Sequence, residues 1–120
     1  MPGFVVSIIN AHLDIDKATV GFVVANAALG SEQDTTVFLS ADGAWIAKRG
    51  EAEKLVAEPP FAPLTDLIDK FVGGGGRILV CSPCMKMRGF GPDDLIPGAQ
   101  PAGGAALVEL LVNGAPCITY

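Results

Sequence analysis

Charge is scarce in this chain, and positive charge most of all. Charged residues make up 18% of the 120, with eight lysines and arginines against thirteen aspartates and glutamates and a net charge of -5. The basic residues are scattered, whereas a nucleic-acid partner demands a cationic stripe, so DNA and RNA are excluded as expected partners. No apolar run approaches the roughly 18 uncharged residues of a membrane-spanning helix, which excludes a membrane-embedded chain. No positive segment precedes the first apolar stretch, so no export signal is read and a cytoplasmic protein is expected. Cysteine is limited to three, an odd number that closes no disulfide framework and fits a compartment where thiols stay reduced. Zinc needs about four ligands, and His12, Cys81, Cys84 and Cys117 come with no second C-x-x-C and no paired histidines. No metal and no cofactor are expected.

What the chain has in quantity is apolar surface. Half of its residues are hydrophobic and the mean hydropathy is +0.45, so it folds as one domain with more apolar area than a single core absorbs. The surplus points to subunit contacts, and a homo-oligomer is expected. Short β-branched runs at Phe4 to Ile9, Thr35 to Ser40 and Arg77 to Val80 read as strands covered on both faces. Ile96 to Gln100 and Pro116 to Tyr120 read as two further short strands. Helical patterns fill the intervals: Lys17 to Leu29 with Asp16 as its cap and Gly30 as its stop, Ala44 to Val56, Leu64 to Phe71, a turn from Pro83 to Arg88, and Pro101 to Val112. Alternation of this kind predicts a three-layer α/β/α fold with a mainly parallel sheet of four or five strands. The Lys17 to Leu29 helix is apolar nearly all round and therefore calls for a second contact surface.

The segment Cys81-Ser82-Pro83-Cys84-Met85-Lys86-Met87-Arg88-Gly89 carries the chemistry. It follows a strand, and open α/β sheets hold their reactive groups at the carboxyl ends of strands. Ser82 is placed to cap the next turn and Pro83 suits its start, so free N–H groups are expected to face the thiols. With Lys86 and Arg88 one turn on, a lowered thiol pKa is expected, with Cys81 the reactive thiol and Cys84 the auxiliary one. Sulfur carriage, dithiol redox chemistry of the thioredoxin kind, and a non-catalytic oligomeric module whose thiols merely line a small-ligand site all use such a pair.

The stretch C-S-P-C-M-K-M-R-G-F resembles the cysteine signature of the DsrE/DsrF-like sulfur-relay family, in particular its YchN-like branch. The runs D-x-D-K-A-T, A-N-A-A-L-G, V-F-L-S-A-D-G-A-W and D-D-L-I-P-G-A are similar to the family's pattern in order and spacing, over nearly the whole chain. The resemblance implies a trimer or hexamer that holds a persulfide on Cys81, with Cys84 as a second position and with sulfur donor and acceptor proteins as partners.

Other signals are weaker. Gly73 to Gly76 follows a helix and precedes a strand, the reverse of a phosphate loop, and lacks its Lys-Ser/Thr; it reads as a helix stop. Gly103 and Gly104 open a helix on the reactive face and could present N–H groups to an anion. His12, in the H-x-D-x-D loop after the first strand, is a candidate neighbour of the cysteines. Trp45 is expected at a subunit contact, and Cys117 buried and inert.

Overall fold

The computed structural model describes residues 3–120. Five strands form one parallel sheet: β1 (Phe4–Ile8), β2 (Thr35–Leu39), β3 (Arg77–Cys81), β4 (Ala99–Ala102) and β5 (Cys117–Thr119), in the order β4-β3-β2-β1-β5. The helices are α1 (Ile15–Gly30), α2 (Leu64–Gly73), α3 (Ser82–Met87) and α4 (Gly104–Val112). The connections from β1 to β2, β2 to β3 and β3 to β4 all step in one direction, so right-handed crossovers put α1, α2 and α3 on one face. The connection from β4 to β5 runs back across the sheet and carries α4 to the other face, over Arg77 and Leu79. This is the three-layer fold expected from the alternation of elements.

The two faces are covered unequally. Val6, Ile8, Val37, Leu39, Ile78 and Val80 alternate onto the α1/α2 side, where the Phe22 and Phe71 rings meet edge to face at 5.9 Å. Asn26 ties the two helices together by donating to Phe22 O and Leu67 O at 3.0 Å each. By contrast α4 has no buried residue, and cavities of about 150 and 230 Å³ lie along its contact with the sheet.

Several boundaries differ from expectation. Asp14, not Asp16, caps α1: its extended backbone lets Oδ1 accept from Lys17 N at 3.0 Å, leaving Asp16 in the first turn, where its charge suits the helix dipole. Gly30 is the last helical residue, and the chain leaves through Ser31 and Glu32. The helix expected over Ala44 to Val56 is replaced by 3-10 turns at Ala41–Ala47 and Ala52–Lys54, separated by Gly50 at φ +88°. The first of these packs so tightly on the end of β1 that only Gly43 fits there. β4 starts three residues later than predicted, after a turn at Gly98 with φ +87°, and α4 starts at Gly104, not Pro101, with Gly103 as its extended N-cap. Cys117 is exposed rather than buried, since β5 is an edge strand with all three residues exposed.

Candidate functional site

The carboxyl ends of β1, β2 and β3 bring together the loop after β1, the 3-10 turn after β2 and the start of α3. Cys81 is both the last residue of β3 and the N-cap of α3, with its sulfur accepting from Cys84 N at 3.4 Å. Ser82, the expected cap, is instead the first helical residue and lies exposed; Pro83 occupies the second position, where its missing N–H costs nothing. Both thiols are half-buried. The Cys84 sulfur accepts the Ala41 backbone N–H at 3.2 Å. Ala41 holds φ +52°, a left-handed conformation that costs a non-glycine residue about 1 kcal/mol, and it faces the cysteines from the turn after β2.

Asp42 secures that turn. Its buried carboxylate accepts the N–H groups of Ala11 and, at 3.0 Å, Leu13, so the loop carrying His12 is clamped to the segment that touches Cys84. His12 itself turns to Glu51, with Nε2 to Oε2 at 3.0 Å, and sets its ring edge-on to Trp45. Its hydrogen bond is to that carboxylate and not to a thiol. Glu51 also pairs with Lys54; burial pushes its carboxyl up, and the hydrogen bonds from Lys54 and His12 together hold it below its usual value. Trp45 stacks on Phe90 at 5.5 Å, with the Lys48 ammonium 5.6 Å from the Trp45 ring centre.

Electrostatically the site departs from expectation. Burial pushes the Cys81 thiol up, and the neighbouring Cys84 thiol acts in the same direction. The Cys84 N–H and the Arg88 charge pull it down by less. Arg88 donates to the Cys84 carbonyl at 3.1 Å, so its guanidinium steadies the turn, while Lys86 is exposed to water. Gly103 and Gly104 lie nearer the cysteine than the sequence could say: Cys81 is in register with Ala102, so the cap of α4 comes one residue beyond the β4 position that pairs with the cysteine. Among the described residues no three His, Cys, Asp or Glu side chains converge as metal ligands would. Nor, among them, is any helix long and apolar enough to cross a membrane.

A profile of the DsrE/DsrF-like family matches residues 5–120. The chain belongs to that family. Its fold matches the crystal structure of the YchN protein from E. coli with a TM-score of 0.79 at 17% identity, covering 98% of this chain and 99% of that one. It also matches a protein of unknown function, MTH1491 from Methanobacterium thermoautotrophicum, with a TM-score of 0.76 at 18% identity, again over 98% and 99% of the two chains. By sequence, this DsrE/DsrF-like chain is 33% identical over 96 residues to the uncharacterized protein MJ0760 of Methanocaldococcus jannaschii. The match takes in 80% of this chain and spans only 34% of that relative. It is 28% identical to the uncharacterized protein MJ0989 of the same organism, over 98% of both chains.

The sequence reading missed Ala41 and Asp42 as parts of the site. The one available signal was Asp-Gly directly after a strand, which reads as a turn; that the turn grips a sulfur depends on the β1–β2–β3 order.

Proposed function

We propose that this chain is a small sulfur carrier that takes sulfane sulfur onto Cys81 from a donor protein and yields it to an acceptor. In loading, the Cys81 thiolate attacks the outer sulfur of a donor persulfide R–S–SH. A Cys81–S–SH bond forms, the donor S–S bond breaks, and R–S⁻ leaves. The observation that carries this reading is the position of Cys81 at the end of β3, half-buried and paired in register with Ala102, the residue before the N-cap of α4. The first N–H groups of a nine-residue helix favour an anion, and a persulfide is more acidic than a thiol. Family membership supports sulfur handling at a coarser level. Incubation of a Cys84→Ser, Cys117→Ser chain with inorganic polysulfide should add about 32 Da, mapped to Cys81 and lost on reduction. If Cys81 stays unmodified while the fold is intact, the carrier reading gives way to a non-catalytic binding module.

The carrier works as a homo-oligomer in this reading. Val108, Leu111 and Val112 on α4 are 59%, 38% and 78% exposed, and together they leave the outer side of that helix an apolar surface that a second copy would cover. Light scattering at micromolar concentration should return a multiple of 12.3 kDa. A mass equal to one chain contradicts the assembly.

A further inference from the structure

We infer that Cys84 is a resolving thiol: it attacks the sulfur-loaded Cys81 and expels the carried sulfur as hydrosulfide, leaving a Cys81–Cys84 disulfide. This rests on the carrier reading and adds a fate for the sulfur that a one-cysteine carrier lacks.

The geometry gives the two thiols different surroundings. Cys81 sits where a strand ends and a helix begins, and its sulfur accepts the N–H of Cys84, the third residue of α3. Cys84 is thus hydrogen-bonded to the very sulfur it would attack. Its own sulfur receives an N–H from a different element, Ala41, which is held in the left-handed region to deliver it. The clamp made by Asp42 on Ala11 and Leu13 fixes the turn that supplies this donor, so the Cys84 sulfur is held by a fixed backbone group of another element. A thiol kept only for packing needs no such strained donor.

The step balances as follows. The Cys84 thiolate attacks Sγ of Cys81–S–SH, the Sγ–SH bond breaks, and HS⁻ leaves with the persulfide's own proton. The sulfane sulfur is reduced by two electrons and the two cysteine sulfurs are oxidised to the disulfide. A dithiol reductant then returns the pair to thiols.

The test uses the full chain with Cys117→Ser, loaded with inorganic polysulfide, freed of excess by gel filtration and followed by intact mass and sulfide assay. The chain with both active-site cysteines should release hydrosulfide and become about 2 Da lighter than its reduced form, reversibly with dithiothreitol. Cys84→Ser should hold its extra sulfur on Cys81 at least roughly tenfold longer and release no sulfide until a thiol is added. The Ala41 amide proton resonance should move on disulfide formation and in Cys84→Ser. If Cys84→Ser takes up no sulfur on Cys81, the carrier reading fails. If both chains hold the sulfur on Cys81 equally long, or the Ala41 resonance ignores Cys84→Ser, the carrier reading stands and the resolving role falls. Extra sulfur mapped to Cys84 overturns both.

Discussion

Gly43→Ala should be the most damaging single-methyl change in the chain. A Cβ at this position would lie 2.1 Å from the Ile8 carbonyl oxygen and 2.8 Å from its carbon, both backbone atoms that cannot rotate away. The turn after β2 would have to lift off the end of β1. Overpacking against a fixed wall costs roughly 3 kcal/mol, which for a domain of this size lowers Tm by roughly 12 °C. The displacement would also pull Ala41 from the Cys84 sulfur and Asp42 from the loop it clamps. Gly30→Ala is the matched control, since nothing lies within 4 Å of its added methyl and the residue is helical. Thermal unfolding followed by circular dichroism separates the two; equal Tm values would mean that the turn does not rest on β1 as described.

Alkylation of Cys81 should climb steeply with pH. The thiolate is the attacking form, and burial together with the Cys84 thiol raises the pH at which it appears. Below that value each pH unit multiplies the ionised fraction about tenfold, so iodoacetamide labelling should increase roughly a hundredfold between about pH 7 and pH 9. Arg88→Ala removes a charge that pulls the thiol down, and should slow labelling at neutral pH roughly threefold. A rate that levels off near pH 7 would contradict the burial argument. The same shift bears on stability: because the folded chain favours the protonated thiol, this contribution is complete below the ordinary thiol range and is lost as pH rises through the folded value.

The apolar runs of β1, β2 and β3 were legible because strands covered on both faces have little room for polar residues, and their order implied a parallel sheet. The segment after β2 was not legible. Ala44 to Val56 has acceptable helix formers, yet contact with Ile8 and the bend at Gly50 impose 3-10 turns, and the contact with Ile8 is not local. The C-x-x-C motif was plain, and so was its position after a strand. What sequence could not supply was the depth of the thiols, since burial at Cys81 outweighs the nearby positive charge. Cys117 shows the converse error: an apolar-looking strand at the sheet's edge is left uncovered.

The return of the chain from β4 to β5 has one further effect. Leaving β3, the chain turns toward the α1 and α2 face; leaving β4, it turns the other way into α4. Neighbouring strands whose exits diverge leave a crevice between them, the topological switch point of an open α/β sheet. In this protein the two strands whose exits diverge end at Cys81 and Ala102, which are paired in register. The position is set by connection order and not by the cysteine motif, so a chain of the same topology keeps the crevice even when another residue stands where Cys81 does.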